Sequence, residues 1–167
     1  MEISELAARF GERRELQAKG IFSSLFIIGN RLQTLFDNDS PDISLKQFML
    51  LTILRQSDDE LTFTRLGKLL GCSRQNVKKL AAVLEQKGFV QIAKGSKDVR
   101  AAVILPTEKL EPYFAQVANH NDEKLAALFA GYSDEELARF YGLFMKLYEG
   151  IERLEAEDKN KGGKSDE

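Results

Sequence analysis

Between Ser73 and Lys79 the chain reads Ser-Arg-Gln-Asn-Val-Lys-Lys. A serine able to cap a helix is followed at once by a guanidinium, two amides and two ammonium groups. On the exposed first turns of a helix these side chains suit one kind of chemistry. Amides such as Gln75 and Asn76 can pair with adenine edges, Lys78 can reach guanine or a phosphate, and Lys79, with Arg65 on the preceding segment, can clamp phosphates. The helix start itself, at Ser73 and Arg74, offers free N–H groups and a dipole that favours anions. Further basic residues lie on either side: Arg65 before this segment, and Lys94, Lys97 and Arg100 after it. The competing reading is a solvated helix face that carries Lys, Arg and Gln for solubility.

Charge distribution favours the first reading. The 167-residue chain has a formal charge of −2. Residues 62–100 nevertheless hold nine basic residues against two acids, Glu85 and Asp98. That window carries +7 and the remainder −9. Such segregation predicts a polyanion-facing patch that the total conceals. The single cysteine allows no internal disulfide, which suits a reducing, cytoplasmic setting. No apolar run approaches membrane-spanning length, so no membrane partner is expected.

The elements that must position these residues follow from periodicity and punctuation. The first 19 residues have helical spacing at Ile3, Leu6, Ala7 and Phe10, and Gly20 reads as a break or kink. A second apolar stripe runs Ile21, Leu25, Ile28, Leu32 and Phe36. Ser44 and Gln47 form a capping box for the next helix, and Ser57 to Glu60 is a polar turn. Thr62 caps a short helix that ends at Gly71. Ser73 caps another, whose Val77, Leu80, Ala81 and Leu84 fall on one face. Gly88 stops it, with Phe89 turning back on Leu84. The period then changes to that of strands, 89–92 and 101–105, joined by a basic, glycine-containing tip. Thr107 is expected to cap a long helix. Ser133 with Glu136 caps the last one, which carries Leu137, Phe140, Phe144, Leu147, Ile151 and Leu154.

A short helix, a glycine turn and a second helix make a helix-turn-helix, and the hairpin behind it adds a wing. The fold class is mainly α with a small β-hairpin: a winged helix-turn-helix flanked by N- and C-terminal helices. The expected divisions are 1–40 for the N-terminal helices, 41–106 for the winged core, 107–156 for the C-terminal helices and 157–167 for a disordered tail. The site set is Arg65, Ser73, Arg74, Gln75, Asn76, Lys78, Lys79, Lys94, Lys97 and Arg100. Asp98 would support the wing by orienting a basic side chain.

Residues 44–107 resemble the core of the MarR family. The stretches that carry the likeness are SLKQFMLLTIL, LTFTRLGKLLGCSRQNVKKLAAVLEQKGFV and the wing ending KDVRAAVILPTEK. Asp98 and Arg100, two apart, and the Thr107-Glu108 helix start fit the family pattern. Val99 stands where a second wing arginine is common, Arg65 replaces an acidic residue, and Pro106 is less usual. The resemblance implies a sequence-specific transcriptional regulator, expected to be a repressor. It also implies that the flanking N- and C-terminal helices are dimerisation helices, giving a homodimer on a pseudo-palindromic duplex operator with its recognition helices about one helical turn apart. An effector that changes this spacing is part of the same implication.

Phe22, Phe26 and Phe48, with Tyr113 and Phe114, could line a pocket for a small aromatic or amphipathic effector; the competing reading of that spacing is ordinary core. Cys72 reads as a small core residue in the turn, ahead of a redox sensor. His120, the one histidine, has no cluster with which to form a metal site. No cofactor and no enzymatic activity are expected, because the chain lacks a nucleophile elbow, a phosphate loop and a metal-ligand set. The rival function is a winged helix used only as a protein–protein adaptor.

Overall fold

In a computed structural model, residues 5, 13–40, 42–96 and 98–162 are described. Most of the expected first helix, including Ile3, Leu6, Ala7 and Phe10, lies outside them, as does Lys97. The element order is α1 (Arg14–Asp39), α2 (Leu45–Arg55), β1 (Leu61–Thr62), α3 (Phe63–Leu70), α4 (Arg74–Gln86), β2 (Val90–Lys94), β3 (Ala102–Pro106), α5 (Leu110–Phe129) and α6 (Asp134–Gly162). Two compact units divide the chain, one ending at Tyr113 and the other beginning at Phe114.

In the first unit, local capping fixes where each helix starts. Ser44 Oγ accepts from Gln47 N at 3.3 Å, and Gln47 Oε1 accepts from Ser44 N at 3.0 Å, closing the capping box. Asp37 Oδ1, near the end of α1, accepts the Leu45 N–H at 2.6 Å and so satisfies another free donor at the start of α2. Thr62 and Ser73 cap α3 and α4 through Arg65 N and Asn76 N, each at 3.2 Å. Gly20 does not break α1. It is buried within a continuous helix, since a glycine's propensity cost of about 1 kcal/mol is too small to end a long helix.

The core gathers under α4. Leu50, Leu51 and Leu54 of α2, Phe63 and Leu66 of α3, and Val103 and Ile104 of β3 are buried together with Val77, Ala81 and Leu84. The sheet has three strands in the order β1-β3-β2, all antiparallel. Two strands were expected; the third, β1, is only two residues long and has no periodicity to detect. Its pairs are Leu61 with Ile104 and Thr62 with Val103.

Close approach decides one position in the helix-turn-helix. A Cβ on Gly67 would lie 2.7 Å from the Cys72 carbonyl oxygen. Without it, the Gly67 carbonyl accepts from Cys72 N at 2.9 Å. Cys72 is half-buried in this turn.

The end of α4 is fixed from within and from outside. Gly88, at φ 75°, donates to Glu85 O at 2.9 Å, and Phe89 N donates to Leu84 O at 2.9 Å, the Schellman pattern expected from sequence. Thr107 was expected to cap the following helix, but α5 begins at Leu110. The Thr107 hydroxyl instead donates to Gly88 O at 2.6 Å and accepts from Lys109 N at 3.3 Å. Lys109 Nζ donates to Lys87 O at 2.8 Å and lies 4.3 Å from the centre of the Phe89 ring. Phe89 meets Tyr113 edge-on at 5.0 Å. Burial, and then the Asp42 carboxylate, push the Tyr113 hydroxyl above its ordinary pKa, so it stays neutral at physiological pH. Arg55 grips Glu111 with two parallel bonds, Nε to Oε1 at 2.9 Å and Nη2 to Oε2 at 2.8 Å. The root of α5 is thereby tied to the last turns of both α4 and α2.

In the second unit, Ser133 and Glu136 close a capping box at 2.9 and 3.2 Å. Phe129, Tyr132, Phe140 and Phe144 form a chain of ring contacts 5.7–6.0 Å apart. The expected disordered tail from 157 is helical through Gly162. Glu155 and Glu157 each precede a lysine by four residues, at Lys159 and Lys161, a spacing that supports helix, and both lysines sit at the favourable end of the helix dipole. Residues 163–167 lie outside the described set. Among the described residues no helix is long and apolar enough to cross a membrane.

Two substitutions test this packing. Gly67→Ala forces a methyl into a backbone oxygen and is expected to cost about 1–3 kcal/mol in denaturant unfolding. Thr107→Val keeps the shape but leaves the Gly88 carbonyl without its hydroxyl donor, and is expected to cost about 1 kcal/mol. Thermal or urea melts of the two variants measure both.

Candidate nucleic-acid interface

The buried stripe of α4 determines what its other side presents. Val77, Ala81 and Leu84 are inside and Leu80 is half-buried. Ser73, Arg74, Gln75, Asn76, Lys78 and Lys79 are all exposed. The six are therefore brought together on the solvent side of one helix start. Ser73 Oγ accepts the Asn76 N–H, which leaves other donors of the first turn free to meet an anion.

Arg65 is exposed on α3, with a contact the sequence did not signal. Its Nη1 lies 3.4 Å from Asp59 Oδ2, and both side chains are 57% exposed. A pair this open to solvent is weak and can be exchanged for a phosphate at little cost.

The wing is the β2–β3 hairpin, paired from Val90 with Pro106 to Lys94 with Ala102. Lys94 and Arg100 are exposed at its outer end. Asp98 does not act as expected: its Oδ1 accepts the main-chain N–H of Arg100 at 2.9 Å. It fixes the backbone of the tip and not the guanidinium, because a carboxylate two residues back is placed to close a local turn onto an N–H.

Two glutamates that the sequence reading passed over hold this region. Glu85 Oε1, on α4, accepts the Ile92 N–H of edge strand β2 at 2.8 Å. Glu60 Oε2 accepts the Ser96 N–H at the wing tip, also at 2.8 Å. Both partners are main-chain groups, seven and 36 residues away, and no spacing rule reveals such pairs.

The candidate effector residues are not assembled in the same way. Phe22 and Phe26 meet edge-on at 5.1 Å and are 63% and 61% exposed. Phe48 is half-buried on α2. A cavity of about 190 Å³ lies elsewhere, at the base of the wing, and none of the three lines it. His120 is exposed on α5. Among the described residues no group of three or more His, Cys, Asp or Glu side chains is placed to hold a metal ion.

Comparison with known proteins agrees with this architecture. A MarR family model matches residues 43–101. A MarR/EmrR family transcriptional regulator from Acinetobacter sp. ADP1 superposes with a TM-score of 0.72 at 16% identity, covering 81% of this chain and 97% of its own. MepR of S. aureus, solved as a DNA complex, gives 0.67 at 22% identity, with 78% and 97% covered. PcaV of Streptomyces coelicolor, solved with its natural ligand, gives 0.63 at 17%, with 74% and 91% covered. At these identities the superpositions establish the fold. The family match lies on the helix-turn-helix and wing themselves, so the core of this chain is similar to that of the MarR family and has the winged-helix fold of these proteins.

Proposed function

We propose that the protein is a transcriptional regulator that binds duplex DNA in a sequence-specific manner. The observation that carries this reading is the sidedness of α4. Arg74, Gln75, Asn76, Lys78 and Lys79 are exposed opposite a buried apolar stripe, as a helix entering a major groove requires. A winged helix serving only as a protein adaptor would be expected to show an apolar or acidic face there. Lys94 and Arg100 on the wing extend the cationic surface toward an adjacent minor groove. MepR, which shares the fold, was solved on DNA.

The reading includes a homodimer on a pseudo-palindromic operator. Helix α1 exposes Ile21, Phe22, Phe26 and Ile28, and α6 exposes Leu137, Phe140, Ile151 and Leu154. In α6 the apolar residues 137, 140, 144, 147, 151 and 154 advance by alternate steps of three and four, the spacing of a helix seam that meets another helix. Exposed apolar rows of this extent call for a partner, and a second copy supplies matching rows. Repression follows from operator occupancy, and the cytoplasm is the compartment where the operator is met. An aromatic effector would be received near the exposed Phe22–Phe26 pair, with Phe48 as a further candidate contact. PcaV, of the same fold, holds a ligand of its own.

Binding to random-sequence duplex, titrated with salt, tests the first claim. Affinity should fall steeply as salt rises, with a slope set by the number of phosphates neutralised; no duplex binding even at low salt would refute it. Lys79→Ala and Arg100→Ala should weaken all sequences alike and each reduce the salt slope by about 1. Gln75→Ala or Asn76→Ala should instead relax preference at particular base pairs, worth about 1–3 kcal/mol each. Equal effects of all four on every site would count against this division. For the dimer, Ile151→Asp with Leu154→Asp should yield a monomer by sedimentation while the helical signal is retained, and a protein that still sediments as a dimer rejects the seam.

A further inference from the structure

The wing tip is ordered largely by its own bonds. Gly95 N donates to Ala101 O at 2.8 Å, Ala101 N to Asp98 O at 3.0 Å, and Arg100 N to Asp98 Oδ1 at 2.9 Å. A Cβ on Gly95 would come within 2.9 Å of Asp98 O, so the turn is drawn tight. Such bonds give the tip a shape but do not determine where it points. A two-stranded ribbon twists and bends readily beyond its last supported pair. Here the outer pair is Lys94 with Ala102, while the third strand supports the sheet only as far as Val103.

One side chain from outside the hairpin reaches past that limit. Glu60, in the polar turn before β1, accepts the Ser96 N–H at 2.8 Å, 36 residues away in sequence. Glu60 lines the same cavity at the base of the wing as Asp59, Arg65, Gly95 and Asp98. Glu60 is half-buried, whereas Ser96 is exposed. A hydrogen bond to an ionised acceptor is stronger than one between neutral groups, which suits it to hold a loop that has little burial to hold it.

We propose that Glu60 is a positioning residue for DNA binding: by tying Ser96 to the turn before β1, it sets the angle at which the wing presents Lys94 and Arg100. This inference rests on the reading of the protein as a duplex binder. It makes a prediction opposite in sign to simple electrostatics. Glu60 places a negative charge beside a cationic surface, so deleting that charge should tighten polyanion binding if charge were its only effect. If position is what Glu60 supplies, deleting the acceptor should weaken binding although the net charge becomes more positive.

The experiment compares the full-length wild type with Glu60→Leu and Glu60→Gln, using random-sequence duplex at fixed low salt, with Ser96 amide exchange followed by NMR on the free proteins. Glu60→Leu should bind about tenfold more weakly, the loss expected for one charge-assisted hydrogen bond. Glu60→Gln keeps an acceptor oxygen while losing the charge, and should bind more tightly than Glu60→Leu. The Ser96 amide should exchange slowly in wild type and Glu60→Gln and at an open-loop rate in Glu60→Leu. Equal or tighter binding by Glu60→Leu overturns the proposal, as does a Glu60→Gln loss as large as that of Glu60→Leu. An unprotected Ser96 amide in the folded wild type overturns it without any variant. Absence of duplex binding by the wild type would reject the regulator reading itself, while the exchange measurement would still report on the tether.

Discussion

The structure depends on the one-sided burial of α4. Val77, Ala81 and Leu84 are removed from water against α2, α3 and the sheet, and burying a side chain of the Val or Leu class contributes about 1.5–3 kcal/mol. That burial fixes the rotation of the helix about its axis. A turn of one residue, about 100°, would carry Val77 toward solvent and bring Asn76 or Lys78 toward the core, where an unpaired amide or ammonium is costly. The face left to solvent is thus chosen by what the opposite face must bury.

Rotation alone leaves the helix free to slide and tilt, and its two ends are held by different means. At the start, Ser73 caps and the close Gly67–Cys72 approach fixes the turn from α3. At the finish, the last carbonyls accept from residues outside the helix: Gly88 O from Thr107 and Lys87 O from Lys109. Lys87 Nζ in turn donates to the Asp42 carbonyl at the approach to α2. The root of α5 is therefore part of the seat of α4, through named hydrogen bonds that can be removed one at a time.

Most of the core architecture was legible in the sequence because it is written in local rules. Capping boxes at Ser44 and Ser133, caps at Thr62 and Ser73, and the glycine stop at Gly88 depend on residues within four positions of one another, and each was found where the spacing placed it. What was missed is non-local or too short to have a period. β1 is two residues long, and Thr107 resembles a helix cap until Gly88 is brought beside it. Gly20 resembles a break because local propensity cannot report that the position is buried. In the site, the exposed set on α4 followed from the apolar stripe by subtraction. The partners of Glu60, Glu85 and Asp98 did not, because a carboxylate gives no sign in sequence of which main-chain N–H it will meet.

Those carboxylates complete the electrostatic argument. Residues 62–100 contain only two acids, Glu85 and Asp98, and each accepts a main-chain N–H, from Ile92 and Arg100. Just before that stretch, Glu60 does the same for Ser96, and Asp59 faces Arg65. A negative charge beside a cationic surface lowers its attraction for polyanions, and neutral residues would leave that field stronger. Their presence is understandable if each is needed to fix a segment that little else holds: an edge strand, a wing tip, a loop. The segregation of charge along the chain is then a compromise between two demands on one surface. The cations set the strength of attraction, and the few acids left among them set the geometry in which those cations are presented.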